Sequence, residues 1–230
     1  MKITILTLFP EMFSSFLDNS IIKRAIAKEK VSFDIVNIRD FTLDKNHRVD
    51  DYPTGGGAGL IMKCQPVYDA LQSVKIENSK VLLTSPRGKT FNQQMAIDLS
   101  KEEELVFLCG HYEGIDQRVL DLIVTDEVSL GDFVLTGGEL PAMVMIDAIS
   151  RHIKGVLSNE DSAITESFTD DLLEHPQYTR PENFMDMKVP EVLLSGNHKK
   201  INEWRYEQSL KETREKRPDL YEKFINRSVE

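Results

Sequence analysis

Three short glycine-bearing segments carry the residues best suited to hold a ligand. They are "TSPRG" (84–88), "CGHYEGID" (109–116) and "TGGELP" (136–141), and each follows an apolar run. Glycine lets backbone N–H and C=O groups approach a ligand without an intervening side chain, although it also serves in ordinary turns. None of the three is a phosphate-binding loop, so we expect a small ligand with an adenine and a ribose.

Several other chemistries lack their sequence signatures. The chain has no GxxxxGK[ST], HExxH or GxSxG motif, and "GGGAGL" (55–60) misses GxGxxG because Leu60 occupies the last glycine position. Cys64 and Cys109 are the only cysteines and form no CxxC pair, which argues against a disulfide framework or a structural zinc site. Metalloproteases, serine hydrolases and dinucleotide-dependent dehydrogenases are therefore disfavoured.

The elements that must position these segments alternate between strands and helices. Apolar runs predict strands at 2–8, 31–38, 80–85, 104–110, 122–128 and 133–136. Helical patterns lie at 11–29, at 65–74, from Asn92 to 99, from Asp116 to 122, and after Pro141. This alternation predicts an α/β fold with an open, mostly parallel sheet, in which ligands bind beyond the carboxyl ends of the strands.

Composition limits the setting and the partners. No run approaches the roughly 18 apolar residues of a membrane span, and Pro10 and Glu11 interrupt the apolar start where a signal peptide would need its cleavage region. We therefore expect a cytoplasmic protein with no membrane partner. The net charge of −10 argues against coating nucleic acid by bulk electrostatics, but it permits a local basic face.

Such a basic face lies near the end of the chain. Residues 158–180 are acidic and interrupted by proline, as in a linker, and a short second unit follows. Residues 198–217 contain seven Lys or Arg against four Glu, with Trp204 and Tyr206 among them. This pattern fits either a solvated helix with ion pairs or a nucleic-acid contact.

Long segments in a fixed order resemble one enzyme family. They include "LFPEMF", "VDDYPTGGGAGLIMKCQP", "CGHYEGIDQRV", "SLGDFVLTGGELPAMVMIDAISRHIKGVL", "HPQYTRP" and "VPEVLLSGNHKKINEWR". Together they resemble the bacterial tRNA (guanine-N1-)-methyltransferases, which methylate the guanosine immediately 3′ of the anticodon (position 37). The resemblance covers nearly the whole chain. It implies a homodimer that acts on tRNA and not on DNA.

The same resemblance implies an architecture and a cofactor. Residues 1–157 would form a SPOUT-class domain with a C-terminal trefoil knot, 158–180 a flexible linker, and 181–230 a small helical tRNA-binding domain. S-adenosylmethionine would bind in the knot, and Mg²⁺ is a candidate ion although no metal-ligand cluster is visible. The loops and the resemblance together select the cofactor residues Thr84, Ser85, Pro86, Gly110, Tyr112, Glu113, Leu130, Gly131, Asp132, Phe133, Val134, Leu135, Gly137, Gly138 and Pro141.

The expected reaction needs a base and a cation. N1 of guanine carries a proton at neutral pH, so a base must remove it while a cation stabilises charge at O6. The resemblance places the base before "SF", where this chain has Glu166 and the family has aspartate. Asp161 is an alternative base, and Glu166 is otherwise a solvated linker residue. Arg151 is the matching cation, unless it only pairs with Asp147 on the surface.

Two segments are candidates for tRNA contact. The polar loop 39–60 is too long to be a casual connection, and the resemblance puts Asp50 and Gly59 near the guanosine. His175, Tyr178 and Arg180 of "HPQYTRP" are the other candidates. A related SPOUT enzyme acting on ribose or another base, and a non-catalytic RNA-binding protein, remain the rival interpretations.

Overall fold

The protein, described by a computed structural model over residues 1–74, 79–157, 166–168 and 170–227, divides into two compact units, residues 1–158 and 159–230. The first unit contains a five-stranded sheet and a two-stranded one. Its strands are β1 (Lys2–Thr7), β2 (Ser32–Asn37), β3 (Asp50–Asp51), β4 (Ile61–Met62), β5 (Lys80–Thr90), β6 (Glu104–Cys109) and β7 (Asp126–Ser129). The main sheet has the order β2-β1-β6-β5-β7 and every neighbouring pair is parallel, which confirms the predicted α/β class.

Helices cover both faces of the main sheet. They are α1 (Ser14–Leu17), α2 (Ser20–Ala27), α3 (Cys64–Val74), α4 (Gln93–Leu99), α5 (Gln117–Ile123) and α6 (Glu139–Ser150). The central strand β6 is buried along its whole length, with Phe107 in one apolar cluster and Leu108 in the other. Successive side chains of a strand point to opposite faces, so a continuous apolar run suits a strand covered on both sides.

Two predicted helix starts are confirmed by their caps. The Asn92 side chain accepts a hydrogen bond from the Met95 N–H, and the Asp116 side chain accepts one from the Arg118 N–H. Each cap satisfies a backbone donor that the first helical turn leaves unpaired. Polar residues with short side chains therefore fix where α4 and α5 begin.

The predicted helix over 11–29 is interrupted. A 3₁₀ turn at Pro10–Phe13 and the short α1 precede α2, and Asn19 between them is extended. Ser20 then adopts a left-handed φ of 53°. Asn19 and Ser20 favour helix starts and turns, so they divide an apolar pattern that would otherwise continue.

The predicted strand over 133–136 is wrong. Residues 130–138 form an irregular loop whose one regular feature is an isolated bridge between Gly137 and His111. Phe133 and Val134 are 55% and 84% exposed, so this apolar run is not a buried strand. The strand predicted over 122–128 is likewise displaced, because α5 extends to Ile123 and β7 occupies only Asp126–Ser129.

The second unit is mainly helical. It contains the hairpin strands β8 (Asn183–Phe184) and β9 (Met187–Lys188), followed by α7 (Glu191–Leu194), α8 (His198–Lys216) and α9 (Pro218–Arg227). Thr213, which is fully buried on α8, accepts a hydrogen bond from the Leu173 N–H at 2.8 Å. None of the helices in the described part of the chain is long and apolar enough to span a membrane.

Candidate functional site

The three glycine-bearing segments surround one cavity of about 390 Å³ at the carboxyl ends of β5, β6 and β7. The predicted cofactor residues that line it are Thr84, Ser85, Pro86, Gly110, Tyr112, Glu113, Leu130, Gly131, Phe133, Val134, Leu135, Gly137, Gly138 and Pro141. Asp132 is absent from the described lining. The segments lie far apart in sequence, so the parallel sheet is what brings them together.

An irregularity in β5 forms the first wall. Val128 of β7 is the register partner of both Thr84 and Lys89, so residues 85–88 leave the ladder and rejoin it. A Cβ on Gly88 would lie 2.3 Å from the Glu127 carbonyl carbon. Glycine is therefore required where this excursion returns to β7.

Gly138, at the start of α6, contacts both β5 and the loop that follows β6. Its N–H donates to the Gly110 carbonyl at 2.9 Å, and its carbonyl accepts from Thr84 Oγ1 at 3.2 Å. A Cβ there would lie 2.2 Å from Thr84 Oγ1 and 2.8 Å from Cys109 Cα. The loops after β5 and β6 and the start of α6 therefore meet at a position that has no room for a side chain.

A buried polar chain connects the same loops beneath the cavity. Glu139 is 1% exposed, and its two carboxylate oxygens accept from Thr7 Oγ1 at 2.6 Å and from His111 Nε2 at 2.9 Å. Because a carboxylate only accepts, His111 Nε2 carries the proton in this contact. The His111 ring also packs against Phe9, with ring centroids 4.7 Å apart. The His111 loop is thus tied to both β1 and α6.

Cys109, at the end of β6, takes no part in nucleophilic chemistry. Burial raises the pKa of its thiol well above the usual value, and the nearby Glu139 carboxylate raises it further. The thiolate is the reactive form of cysteine, and it is disfavoured here. Cys109 therefore serves as a packing residue between the sheet and the cavity.

The long polar loop reaches the cavity wall. Asp50 of β3 pairs with Met62 of β4, and the Met62 N–H donates to the Gly114 carbonyl at 2.9 Å. Gly59, with a left-handed φ of 80°, lies so close to Glu113 that a Cβ would meet its carboxylate oxygen at 2.5 Å. The loop that carries Asp50 and Gly59 therefore adjoins the segment that lines the cavity.

Sequence reasoning missed several lining residues. Arg87 and Gln117 line the cavity and are joined by a 3.4 Å hydrogen bond. His111 also lines it, yet its partner Glu139 lies 28 residues further along the chain. Their positions inside the predicted loops could have identified Arg87 and His111, but no sequence signal links His111 to Glu139.

The two catalytic candidates belong to different units. Arg151 directly follows α6, is half-buried, and its N–H donates to the Asp147 carbonyl at 3.2 Å. Glu166 is a half-buried residue of the second unit, and the neighbouring Ser167 Oγ accepts from the Glu174 N–H at 3.0 Å. Asp161, the alternative base, lies outside the described residues.

The three C-terminal candidates for tRNA contact lie together. His175, Tyr178 and Arg180 line a separate cavity of about 320 Å³ within the second unit. The Trp204 ring centroid lies 6.3 Å from that of His175 and 6.2 Å from that of Tyr178. In the described parts of the chain, no group of three or more His, Cys, Asp or Glu side chains is arranged to hold a metal ion.

Comparison with known proteins identifies the family. The chain matches the family described as tRNA (Guanine-1)-methyltransferase TrmD over residues 1–223. A tRNA (guanine-N(1)-)-methyltransferase of Clostridioides difficile is 57% identical over 227 residues, which cover 97% of this chain and 98% of that protein. Proteins with the same name from Listeria monocytogenes and Latilactobacillus sakei are 54% and 56% identical, and the matches cover 97% of this chain and 93% and 92% of theirs. This chain therefore belongs to the tRNA (guanine-1)-methyltransferase family.

Proposed function

We propose that this protein transfers a methyl group from S-adenosylmethionine to N1 of the guanosine immediately 3′ of the tRNA anticodon, position 37. Membership of the family supports the reaction and the tRNA substrate. The observation that carries the proposal is the convergence of the three predicted loops on one cavity beyond the carboxyl ends of parallel strands. Ligands of open α/β folds bind at this edge of the sheet.

The cavity suits S-adenosylmethionine in size and chemistry. Its volume of about 390 Å³ falls within the roughly 300–1,000 Å³ typical of small-molecule sites. Gly137 and Gly138 both line the cavity, and a Cβ on either would collide with neighbouring atoms. Leu130, Phe133 and Leu135 supply apolar surface for a flat ring. When bound, S-adenosylmethionine supplies a methyl group already activated on a sulfonium.

The chain's own residues then handle the proton and the charge. In our proposal the Glu166 carboxylate accepts the proton that leaves N1 of guanine. The Arg151 guanidinium, a planar fork, donates to O6 and stabilises the negative charge that builds there. Asp50 and Gly59 contact the guanosine from the loop beside Glu113. Mg²⁺ is a candidate ion near the substrate, and it enters no step here.

We infer that the cofactor site is knotted, within residues 80–157. The path of the chain supports this proposal. After β7, at the edge of the sheet, the chain returns to Gly138, which bonds to groups on β5 and at the end of β6. Glu139 then reaches Thr7 on β1. A knot requires the chain to thread through one of its own loops, and this return past β5 is consistent with such threading. Connections in ordinary folds do not thread through loops.

We also propose that the protein acts as a homodimer. Glu166 belongs to a different unit from the cavity, so a second subunit is a natural source of the base. Leu140 and Val144, four residues apart on α6 and therefore neighbours on its surface, are each 52% exposed. Apolar side chains grouped in this way favour a protein interface. Monomeric behaviour in sedimentation with full activity would contradict the proposal.

The remaining assignments follow from the same picture. Residues 1–157 would carry the methyltransferase domain, 158–180 the interdomain linker and 181–230 the tRNA-binding domain. We place the protein in the cytoplasm, and the free thiols of Cys64 and Cys109 suit a reducing compartment.

The test is transfer of labelled methyl groups from S-adenosylmethionine into tRNA transcripts. Digestion of the product to nucleosides should yield 1-methylguanosine, and transcripts with adenosine in place of the target guanosine should accept no label. A ribose-methylated nucleoside would instead indicate the related SPOUT activity. Absence of transfer with intact tRNA binding would indicate a non-catalytic RNA-binding protein.

A further inference from the structure

The second unit contains a cavity that the methyl-transfer reaction does not use. It has a volume of about 320 Å³, and its apolar lining residues include Val189, Leu193 and Ile201. Its lining also includes polar and aromatic residues, among them Tyr178 and Arg205. Its volume is comparable with that of sites for single small ligands.

Two aromatic residues of the lining, His175 and Tyr178, lie near Trp204 of α8. Trp204 places its ring centroid 6.2 Å from that of Tyr178, at an interplanar angle of 57°, and 6.3 Å from that of His175. Ile201, Trp204 and Arg205 share one face of α8, since residues three and four apart are neighbours on a helix. Two rings and the Arg205 guanidinium therefore line the same cavity.

The segment that completes the wall is anchored at its start. The Leu173 N–H donates to Thr213 Oγ1 of α8 at 2.8 Å, and Asp171 forms ion pairs with Lys223 and Arg227 of α9. His175 Nδ1 lies 3.2 Å from the Pro176 carbonyl oxygen. These contacts hold His175 and Tyr178 in place before any ligand arrives, which lowers the entropic cost of binding.

The charged groups at the cavity select the ligand class. Arg180 and Arg205 both line it, against one carboxylate, that of Glu182. Aromatic rings beside guanidinium groups are the usual means of holding an unpaired nucleotide, because the base stacks and the phosphate accepts hydrogen bonds. A free phosphate would make no stacking contact with the rings, and an apolar peptide would not pair with the two arginines.

We propose that this cavity binds one unpaired nucleotide of the tRNA, with its base against Tyr178 and His175 and its phosphate bonded to Arg180 and Arg205. The inference rests on the proposed tRNA substrate and adds a second nucleotide site, distinct from that of the methylated guanosine. It makes the second unit a reader of single-stranded RNA and not only a basic surface.

Trp204 is the only tryptophan of the chain and lies near the lining residues His175 and Tyr178, so its fluorescence should respond when a base contacts them. Titration of the protein with a tRNA transcript should change the fluorescence saturably, with the midpoint that filter binding gives. Titration with S-adenosylmethionine alone should leave the signal unchanged. If tRNA binds and the Trp204 fluorescence does not respond, the proposed site is wrong.

Substitutions test the two kinds of contact separately. Arg205→Gln and Tyr178→Ala should each weaken tRNA binding roughly tenfold, a typical loss for one phosphate or stacking contact. Tyr178→Phe keeps the ring and should restore most of the affinity. The dissociation constant for S-adenosylmethionine should be unchanged in all three variants.

Matched controls lie on the same helix. Arg214→Gln removes an equal charge half a turn around α8 from Arg205, and Tyr206→Ala removes an exposed ring that does not line the cavity. Both should retain near-normal tRNA affinity. If they lose as much as Arg205→Gln and Tyr178→Ala, the helix binds by general charge and the proposal falls. Absence of any tRNA binding by the wild type would overturn the proposed function as well.

Discussion

The two cavities of this protein are built from different materials. The cavity of the first unit includes Gly110, Gly137 and Gly138 in its wall, where backbone takes the place of side chains. The Glu139 carboxylate that connects its loops is buried. The cavity of the second unit is walled by exposed side chains such as Tyr178 and Arg205. A wall formed by backbone depends on the fold itself, so even an added methyl group should disrupt it. A wall formed by side chains depends on individual residues, so each substitution should lower ligand affinity by a limited amount.

The largest expected effect concerns the proposed base, which belongs to the second unit. Glu166→Gln keeps the size of the side chain but removes the proposed proton acceptor. Turnover should fall by roughly 10²-fold or more while cofactor affinity barely changes, because the base acts only in the chemical step. Single-turnover methylation of tRNA, with calorimetry for S-adenosylmethionine, measures the two quantities.

Two companion variants make that result specific. Glu166→Asp restores the residue usual in the family and should be far milder than Glu166→Gln. Asp161→Asn should leave turnover nearly intact. If Asp161→Asn is the damaging change and Glu166→Gln is not, the base lies five residues earlier than proposed.

The next effect concerns the backbone wall. In Gly138→Ala the added Cβ would approach Thr84 Oγ1 to 2.2 Å and the Gly110 nitrogen to 2.9 Å. Overpacking of this kind costs about 1–3 kcal/mol, so both stability and cofactor affinity should fall. Gly110→Ala is the control for stability, since its Cβ would meet only the Ile115 side chain, at 3.6 Å. Thermal unfolding should separate the two variants, and equal melting temperatures would refute the argument.

A smaller loss of stability is expected when the buried hydrogen bonds among Thr7, Glu139 and His111 are altered. Glu139→Gln keeps one acceptor for Thr7 but presents an amide to His111, which leaves a buried group poorly paired. The cost should be about 1–3 kcal/mol of stability, at the lower end of that range because one bond survives. Cofactor affinity should fall with it, since the loops after β6 and β7 lose a connection.

A double-mutant cycle with Thr7→Val isolates the Thr7 contact. Glu139→Leu removes the acceptor of this hydrogen bond, so its loss and that of Thr7→Val should not add, whereas Glu139→Gln keeps the bond and its loss should add to that of Thr7→Val. Additive losses for Glu139→Leu and Thr7→Val in chemical denaturation would mean that Thr7 and Glu139 stabilise the protein independently.

The smallest expected effect concerns the N-terminal caps of two helices, α5 in the first unit and α8 in the second. Hydrogen bonds from Arg118 lower the pKa of the Asp116 carboxyl to about 2, below the roughly 3.9 of an unfolded aspartate. The resulting stability is present above about pH 4 and is lost as the pH falls toward 2. Arg118 is 78% exposed, so solvent screening keeps this contribution small.

Asp116→Asn keeps a capping oxygen and removes only the charge. Its deficit in melting temperature should therefore shrink between about pH 4 and pH 2. Asn197, whose side chain accepts from the Lys200 N–H at the start of α8, is an uncharged counterpart. Asn197→Ala should lose about 1 kcal/mol with no such step in pH. A constant deficit for Asp116→Asn would mean that the charge is immaterial.

The loops of the backbone wall were predictable because glycine at the end of an apolar strand is a local signal. Parallel strands place their carboxyl ends at one edge, so Thr84 and Gly110 follow from pattern and topology, whereas Gly138 was expected beyond a strand over 133–136 that does not form. The caps Asn92 and Asp116 were predictable for the same reason, since capping depends on a few adjacent residues.

Features that depend on tertiary packing were not predictable. The run at 133–136 has the composition of a strand, yet Val134 is 84% exposed, and short apolar runs carry no sign of where they will lie. The pairing of His111 with Glu139 and the tilted packing of Trp204 near Tyr178 join residues that share no local pattern. Asp132 was selected because it lies inside a lining segment, although its neighbours face the cavity instead.

Val128 of β7 is the register partner of both Thr84 and Lys89, so the excursion of β5 between them can change its length. Leu83 and Thr84 set the register of β5 before the excursion, and Lys89 resets it on the same partner afterwards. A residue inserted between Ser85 and Arg87 would enlarge the excursion without shifting any strand. Loop closure becomes costlier only slowly, by about 0.6 kcal/mol for each doubling of length. The shape of the proposed cofactor site can therefore diverge, by natural insertion or by design, while the sheet that supports it stays the same.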